Sequence, residues 1–406
     1  MKNLLFIDYF FPPLLGDWRG IGFVEHLPEF GWRPIVISAG EAVTYGKDYD
    51  ALRDIPQGLR VSRVNHKEPS LAWQYFRRAL KIGVDFPDYY KTWYHPAYNE
   101  ARRILREEQI QLIYSASPTF TTAFVAMELK RRFSIPWVAD FLDGWAVNDF
   151  LNQEYDRSLI EPLRWFQKRR VRNAERAILE YADRVVVIHD HVKRRWRELH
   201  GIDDPKIRVV TDGYDESVFK GVRPRLLYGD RPTIVFLGSY YSAFGEEIAK
   251  FVDAVNEVEK DAELIFIGRS AGPVHNMNLK NTTCMLHIPR RSAIEFATGA
   301  DFLFLVMPPH AKWTPSKLYD YLRVGKPILA LVPPDGDAAR IVRDSNAGFI
   351  LDFDVVRMRN QLAMIFQKWK QGGFKRFHLS PEYVARFERR KLTEQMVRVF
   401  NEVSLA

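Results

Sequence analysis

The chain is short of cysteine, of long apolar runs and of internal repeats. Its 406 residues include one cysteine, Cys284, which excludes a disulfide-stapled scaffold and suits a reducing compartment. No stretch approaches the roughly 20 apolar residues that span a bilayer, and the start, MKNLLFIDYFFPP, lacks the cleavage site of a signal peptide. We therefore expect a cytoplasmic protein, attached at most to the inner face of the plasma membrane.

The composition is that of a folded, basic protein. Hydrophobic residues make up 47% of the chain and the formal net charge is +8, so the chain has enough apolar surface to fold. A chain of this length predicts two domains. Residues 161–200 hold 11 Lys or Arg against 6 Asp or Glu. Such a surplus suits nucleic acid, anionic lipid or an anionic substrate.

Short apolar runs alternate with helix-length segments along the whole chain. The runs are LLFID (4–8), PIVIS (34–38), LIYSA (112–116), PWVAD (136–140) and RVVVI (184–188), then TIVFLG (233–238), ELIFIG (263–268), CMLHI (284–288), DFLFLV (301–306) and PILALV (327–332). Because they are apolar on both faces, they predict parallel strands that are covered by helices. The alternation with helices predicts βαβ units.

A polar stretch with Gly and Pro at both ends, residues 221–232, separates two such series. The sequence therefore predicts an α/β protein with two doubly wound, Rossmann-like domains over residues 1–220 and 221–380. Residues 381–406 are expected to form a C-terminal helix that crosses back to the first domain. Ligands of such domains bind outside the carboxyl ends of the strands, and a cleft between two domains is the default site.

The segment Trp313–Leu322 combines a helix start with charged side chains. Pro315 fits the first turn of a helix, and Thr314 or Ser316 fits its cap. The N–H groups of a helix start attract phosphate, and Lys317 adds a positive charge there. Asp320, three residues further along, shares the helix face and is able to accept hydrogen bonds from a ribose diol. A capped surface helix with an ordinary Lys and Asp is the alternative.

The segment S-K-L-Y-D-Y-L-R-V-G-K-P-I-L-A, residues 316–330, resembles the donor-binding segment of the retaining GT-B glycosyltransferases of family 4. The resemblance implies a GT-B architecture, in which an N-terminal acceptor domain and a C-terminal nucleotide-sugar domain face each other across a cleft. It implies that the donor phosphates lie at the helix start, at Thr314, Ser316, Lys317 and Leu318, and that Asp320 binds the ribose. Lys312 stands where the family often has a glutamate, so the acid that touches the transferred sugar is missing or moved.

The N-terminal half carries further motifs of the same family. Phe10–Pro13 with Gly16 and Arg19 resembles its Y-x-P-P-x-x-G-G-x-x-x-R loop, which implies that Gly16 and Arg19 approach the donor; an ordinary strand-to-helix loop is the alternative. Pro87-Asp88 with Trp93, and Ser115–Pro118, resemble its P-D-x(4)-W and S-S-x-P segments.

Residues 137–145, WVADFLDGW, resemble the family segment W-V-A-D-x-R-D-P-W. The resemblance implies that Asp140 and Asp143 are catalytic. Leu142 and Gly144 replace the family's Arg and Pro, and the loss of the Arg removes a cation that would have paired with one of the acids. Thr211–Asp215 resembles a turn that we interpret as structural.

Gly238 and Ser239 follow the first strand of the second half and resemble the first donor loop of the C-terminal domain. The basic residue that often holds phosphate in that loop is absent. Arg269, or Arg290, is a candidate substitute, and a solvated surface arginine is the alternative.

Residues 72–81, AWQYFRRALK, hold three basic residues, three aromatic residues and no acid. As a helix the segment places Trp73 and Phe76 on one side and Arg77, Arg78 and Lys81 elsewhere, which is typical of an interfacial amphipathic helix. Its partner would be an anionic membrane surface or a lipid-linked acceptor. A helix that buries its aromatic stripe in the core is the alternative.

Together these residues predict a metal-independent, hexosyltransferase-like enzyme without a cofactor. It would transfer a sugar from a UDP- or GDP-linked donor to a polysaccharide or lipid-linked acceptor in envelope or exopolysaccharide synthesis, with retention by analogy with the family. A non-catalytic nucleotide-sugar-binding or partner protein of the same fold, and a GT-B sugar-nucleotide epimerase, are the alternatives. Nucleic acid is not an expected partner, because no helix-turn-helix, RNP-type strand or zinc pattern occurs.

Overall fold

The computed structural model describes residues 1–14, 18–81, 85–202, 204–227, 231–238, 245–268, 281–285, 288–372, 374 and 379–404. They form two compact units. The N-terminal unit comprises Met1–Thr211 with Arg390–Ala406, and the C-terminal unit comprises Asp212–Arg389. The sequence pattern, by comparison, put the first boundary at residues 220/221 and the second at 380/381, where Gly and Pro interrupt the chain.

The N-terminal unit is built on a parallel sheet of seven strands among the described residues. In spatial order they are β3 (Arg60–Val64), β2 (Trp32–Ala39), β1 (Lys2–Ile7), β4 (Leu112–Ala116), β5 (Trp137–Phe141), β6 (Arg184–Val187) and β7 (Ile207–Val209). The order reverses between β1 and β4, so that the carboxyl ends of these two strands flank the point where doubly wound sheets bind ligands.

Parallel pairing requires crossover connections, and α-helices form all of them except the one between β2 and β3, which contains the 3-10 helix Asp50–Asp54. The α-helices are α1 (Trp18–His26), α2 (Leu71–Ala79), α3 (Tyr94–Glu107), α4 (Phe120–Phe133), α5 (Asp149–Ser158), α6 (Leu163–Tyr181) and α7 (Asp190–His200). The sequence pattern identified five of the seven strands and missed β3 and β7. Both lie at the edges of the sheet, where a strand is only half-buried and needs no continuous apolar run.

The C-terminal unit is a second parallel sheet, with six strands among the described residues. Their spatial order is β10 (Thr282–Met285), β9 (Glu263–Ile267), β8 (Thr233–Leu237), β11 (Phe302–Val306), β12 (Ile328–Leu331) and β13 (Gly348–Ile350). The described helices of this unit are α8 (Glu216–Phe219), α9 (Gly245–Val258), α10 (Arg290–Gly299), α11 (Lys317–Val324), α12 (Asp337–Asp344), α13 (Val355–Lys370) and α14 (Pro381–Ala385).

The last helix, α15 (Arg389–Ser404), belongs to the N-terminal unit from Arg390 onward. Its apolar side chains join the core on one face of the first sheet, where Phe400 packs against Trp32 and Tyr114 at ring-centroid distances of 5.5 and 5.8 Å. The 178 residues between Thr211 and Arg390 are therefore inserted between the N-terminal unit and its last helix. Within the described residues, no helix has both the length and the apolar character that crossing a bilayer demands.

Candidate functional site

Arg19 on α1 and Asp140 on β5 form a buried ion pair at the carboxyl end of the first sheet. The Arg19 Nε donates to Asp140 Oδ2 at 2.9 Å, and the two side chains are 1% and 2% exposed. Arg19 also donates to the carbonyl oxygens of Val210 and Thr211 at 2.8 and 2.6 Å, and the Tyr114 hydroxyl donates to Asp140. The pair thus ties α1, β5 and the residues after β7 together.

This arrangement gives Arg19 and Asp140 a structural role that the motifs did not indicate. The sequence suggested that Arg19 approaches the donor and that Asp140 is catalytic, and it suggested that Leu142 removes the cation beside these acids. In the structure the cation is Arg19 itself, which lies 121 residues from its partner. An isolated buried carboxylate is costly, so Asp140 requires this arginine.

Asp143 lies three residues beyond Asp140, in the loop after β5, and its side chain is exposed. Glu175 of α6 fixes this loop. Its carboxylate is fully buried, and Oε1 accepts hydrogen bonds from the backbone N–H groups of Trp145 and Ala146. The other carboxylate oxygen lies 2.7 Å from His200 Nε2. Asp143 is therefore the acid of this segment that a ligand is able to reach, on a loop whose backbone is fixed.

Gly144 in the same loop lies where the packing leaves no room for a side chain. A Cβ added at this position would lie 2.3 Å from Val147 Cγ2 and 3.0 Å from Val192 Cγ1. The family's proline would bring the same carbon, so its replacement by glycine here follows from the close approach of Val147 and α7.

We expect Gly144→Ala to lower the free energy of unfolding by about 1–3 kcal/mol, the usual cost of forcing a methyl group into a packed interior. Urea denaturation followed by tryptophan fluorescence measures this change. The matched control is Gly58→Ala, because a Cβ there meets no atom within 4 Å and only the positive φ of +80° opposes it. A smaller loss at Gly144 than at Gly58 would contradict the packing argument.

Asp88 of the Pro87-Asp88 motif caps α4 from another part of the chain. Its carboxylate accepts hydrogen bonds from the Thr121 backbone N–H and from the Thr121 hydroxyl, both at 2.8 Å. The N-cap residue of α4, Thr119, makes no side-chain cap hydrogen bond of its own. Asp88 thus satisfies donors that a helix start leaves unpaired, and Trp93 of the same motif is fully buried.

Lys317 is a half-buried cation of the C-terminal unit. It begins α11, and its Nζ lies 3.8 Å from the centre of the Phe236 ring, over the end of β8. Within the part of the chain that the structure describes, no carboxylate or other acceptor pairs with it. Burial lowers the pKa of Lys317 to about 7, because a charged amine is costly where water is excluded.

The end of β8 is shaped to receive this lysine. Gly238 follows the strand with φ +119°, and a Cβ there would lie 2.8 Å from Lys317 Nζ. The hydroxyl of Tyr321, one turn along α11, accepts a hydrogen bond from the Leu237 N–H at 2.8 Å. Strand and helix are therefore locked together, with the lysine beside the glycine.

The start of α11 differs from the sequence prediction in its capping. Ser316 is the N-cap residue, but its side chain makes no cap hydrogen bond. The N–H groups of Leu318 and Tyr319 donate to the carbonyls of Pro315 and Ser316 at 3.0 and 3.1 Å, and Thr314 is buried. Because these two N–H groups are already used, Lys317 is the main source of positive charge at this helix start.

Asp320 is paired with Arg290, the first residue of α10. The Arg290 Nη2 donates to the two oxygens of the Asp320 carboxylate at 2.8 and 3.2 Å. Burial raises the pKa of Asp320, and Arg290 opposes that shift. A single nitrogen makes both contacts, which leaves acceptor capacity on the carboxylate for hydroxyl groups. The spacing 317/320 thus brings a cation and an acid to one end of the second sheet.

Lys312 lies at the position where the resemblance would place an acid, and it forms an exposed ion pair with Asp335. Asp-x-Asp sequences, whose paired carboxylates suit metal ions, occur at residues 48–50, 335–337 and 352–354. In the second and third of these sequences, acids already pair with basic side chains: Asp335 with Lys312, Asp337 with Arg340, and Asp352 with Arg357.

Three of the predicted donor-binding residues, Gly16, Ser239 and Arg269, lie outside the described residues. Arg77 and Arg78 lie on α2, and their side chains are likewise outside the description. Trp73 and Phe76 of the same helix are half exposed, at 55% and 50%. The alternative that α2 buries its aromatic stripe is therefore wrong.

Residues 22–213 match the sequence profile of the glycosyl transferase 4-like domain. No curated protein matches the chain by sequence.

Solved structures extend this likeness in fold over the whole chain. Sucrose-phosphate synthase from Thermosynechococcus elongatus is 16% identical, with 99% of each chain covered and a TM-score of 0.69. Anabaena HepE, solved with UDP and glucose, is 12% identical, with 99% of this chain and 100% of that chain covered and a TM-score of 0.67. WaaG, a glycosyltransferase involved in lipopolysaccharide biosynthesis, is 12% identical, with coverage of 98% and 99% and a TM-score of 0.59. The two Rossmann-like units thus have the fold of GT-B glycosyltransferases.

Proposed function

We propose that this protein is a retaining, metal-independent hexosyltransferase that moves a sugar from a UDP- or GDP-linked donor to a saccharide or lipid-linked acceptor in polysaccharide or envelope synthesis. The observation that carries the proposal is Lys317, a cation without a carboxylate partner among the described residues, beside Gly238 at the carboxyl end of β8. Such a cation attracts an anion, and a nucleotide sugar offers a diphosphate.

The donor end of the reaction is assigned to α11. Lys317 would neutralise charge that develops on the departing diphosphate, which lowers the barrier without requiring a metal. Asp320 would accept hydrogen bonds from the ribose hydroxyls, and Arg290 would orient its carboxylate by the contacts at 2.8 and 3.2 Å.

The acceptor end is assigned to the carboxyl edge of the first sheet. Asp143 is exposed there on a loop that Glu175 fixes, so it is the acid that we propose to contact the reacting sugars. Asp140 would act indirectly, because it holds Arg19 and through it α1. Fixed positions of this kind supply much of the rate enhancement in a two-substrate reaction.

Asp320→Ala is expected to weaken binding of the nucleotide-sugar donor by about tenfold to a hundredfold, since hydrogen bonds to charged groups contribute roughly 1.5–3 kcal/mol. Titration calorimetry with UDP- and GDP-linked sugars measures the affinity. The control is Glu257→Ala, an exposed acid of α9 that pairs with Arg359 and should leave the affinity unchanged. Wild-type affinity in the Asp320 variant would contradict the ribose assignment.

A donor-turnover assay separates the proposed enzyme from its alternatives. A transferase releases nucleoside diphosphate and gives a product whose anomeric configuration reports retention. Tight donor binding without any release would identify a non-catalytic nucleotide-sugar-binding protein. Conversion of the donor into its epimer would identify an epimerase.

The lipid-linked form of the acceptor, and attachment to the inner face of the plasma membrane, are part of the same proposal. Their support is the exposed aromatic surface of α2, with Trp73 and Phe76 stacked at a ring-centroid distance of 5.5 Å. Aromatic rings of this kind suit the boundary between headgroups and acyl chains.

A further inference from the structure

Two segments of the N-terminal unit contain nearly all of the protein's excess charge. Residues 71–81 and 159–172 together hold eight basic residues and one acidic residue, a net charge of +7 in a chain whose total is +8. The first segment contains α2, and the second contains the start of α6. The remaining residues sum to a net charge of +1, so these two segments are candidates for attraction to an anionic surface.

Both segments also expose large apolar side chains. On α2 and just after it, Trp73, Tyr75, Phe76 and Leu80 are 50–70% exposed, and in the second segment Ile160, Leu163, Trp165 and Phe166 are 36–59% exposed. Among the side chains that the structure describes, 17 large hydrophobic ones are exposed to this degree, and eight of them lie in these two segments. Single exposed hydrophobic residues are ordinary, but a concentration of this kind marks an interaction surface.

A hydrogen bond joins the two segments. The Ile160 N–H donates to the carbonyl oxygen of Lys81 at 3.2 Å, so that the residues after α2 lie directly beside the residues before α6. We call the eight side chains of the two segments, with Lys81 and Arg169, the aromatic-basic surface.

The start of α6 exposes its aromatic residues because the helix already buries another face. Gln167, Val171, Glu175, Ile178 and Leu179 are turned inward, which leaves Trp165, Phe166 and Arg169 on the opposite side. Arg169 lies 5.1 Å from the Trp165 ring, and among the described residues no carboxylate pairs with it. Its charge therefore remains available to a partner.

Two acids near this surface, Asp156 and Glu161, are already paired with basic residues among the described side chains. Asp156 pairs with Lys168 at 2.6 Å, and Glu161 pairs with Arg164 at 3.2 Å. The surface accordingly presents cations and apolar rings together, without a competing negative charge from either of these acids.

We propose that the aromatic-basic surface docks this protein on an anionic bilayer, with Trp165, Phe166 and Ile160 inserted beside the aromatic residues of α2. A bilayer interface combines anionic headgroups, which attract Lys and Arg, with an apolar layer that accepts Trp, Phe, Leu and Ile. A nucleic acid would meet the charges and rings but offers little to Ile160, Leu163 and Leu80. Docking would bring the enzyme to a lipid-linked acceptor in the membrane, and in this respect the inference rests on the proposed function.

Vesicle flotation tests this surface directly. The full-length protein is mixed with vesicles of phosphatidylglycerol and phosphatidylcholine or of phosphatidylcholine alone, and the bound fraction is measured against lipid concentration. We expect binding to the anionic vesicles only, and a loss of about tenfold or more in affinity for Trp165→Ala/Phe166→Ala, because two large apolar side chains no longer enter the bilayer. Trp73→Ala/Phe76→Ala should give a loss of similar size.

The matched control is Tyr49→Ala/Phe133→Ala, which removes two aromatic side chains that are 57% and 43% exposed elsewhere in the same unit. It should bind anionic vesicles as the unaltered protein does. Unchanged vesicle binding by Trp165→Ala/Phe166→Ala would overturn the proposal. So would equal binding to both lipid mixtures, or an effect of the variant on self-association or on oligonucleotide binding alone.

Calorimetry with the nucleotide-sugar donor, in the absence of vesicles, keeps this proposal separate from the proposed function. All three double variants should retain the donor affinity of the unaltered protein, which also shows that they are folded. Vesicle binding without donor binding would contradict the glycosyltransferase and leave the docking surface standing. Donor binding without vesicle binding would support the glycosyltransferase and overturn the docking surface.

Discussion

Replacement of Arg19 by methionine is expected to lower the free energy of unfolding by about 3–5 kcal/mol, because it leaves the Asp140 carboxylate buried without its counter-charge. The variant also loses the hydrogen bonds to the carbonyls of Val210 and Thr211. Eight of the ten tryptophans lie within residues 1–211, so urea denaturation followed by tryptophan fluorescence reports chiefly on the unit that holds the pair.

Two further variants decide whether the pair acts as argued. Arg19→Met/Asp140→Asn should recover part of the loss, since removal of both charges avoids an uncompensated buried ion. Arg176→Met removes a surface pair with Glu180 whose side chains are 59% and 51% exposed, and should change the stability by less than about 1 kcal/mol. Full stability of Arg19→Met together with weakened donor binding would instead return Arg19 to the donor-binding role that the sequence motif suggested.

The second large effect is a pH dependence of donor binding that arises from Lys317. Its pKa of about 7 means that the free protein carries the charge below neutral pH and loses it above. A bound diphosphate favours the charged amine and raises its pKa, so donor binding takes up a proton. We therefore expect the association constant to be highest and level below about pH 6, and to fall by up to about tenfold per pH unit above pH 7.

Titration calorimetry of the nucleotide-sugar donor across this pH range, in buffers of different ionisation enthalpy, measures both the affinity and the proton uptake. The diphosphate of a nucleotide sugar has no group that titrates in this range, so the protein is the source of the change. Lys317→Met should weaken binding by about tenfold or more at pH 6 and remove the pH dependence.

Lys250→Met is the matched control for that experiment. Lys250 lies on α9 of the same unit and pairs with Glu246 at 2.6 Å, so the variant should keep both the affinity and the pH dependence. A pH-independent affinity in the unaltered protein, or a pH dependence that survives Lys317→Met, would contradict the assignment of Lys317 to the diphosphate.

The parts of the fold that follow from short-range patterns were predictable. Residues 112–116 were predicted as a strand and form β4 with those bounds, because a central strand of a parallel sheet is buried on both faces and reads as one apolar run. The edge strand β3, RVSRV, has three polar residues and two valines and is half-buried throughout, so it contains no such run.

Some features of the candidate site likewise follow from local sequence, and others depend on tertiary packing. The spacing of Lys317 and Asp320 puts both on one helix, which local sequence indicates directly. The pairing of Asp320 with Arg290 depends on how α10 and α11 pack on the second sheet. The capping of α4 by Asp88 similarly depends on a loop that approaches from 33 residues away, and a proline-aspartate dipeptide carries no sign of that partner.

The sequence by itself determined that this protein has two parallel α/β halves, a cation and an acid at one helix start, and almost all of its net charge in residues 71–81 and 159–172. These are properties of neighbouring residues, whose periodicity and charge are fixed along the chain. Only the tertiary structure decided that Arg19 neutralises Asp140, that Trp165 and Phe166 are exposed, and that Ile160 lies beside Lys81. The order of the strands and the face that each helix buries set those contacts. Burial makes an unpaired charge such as Asp140 costly, and it removes apolar side chains from water only on the face that a helix packs inward.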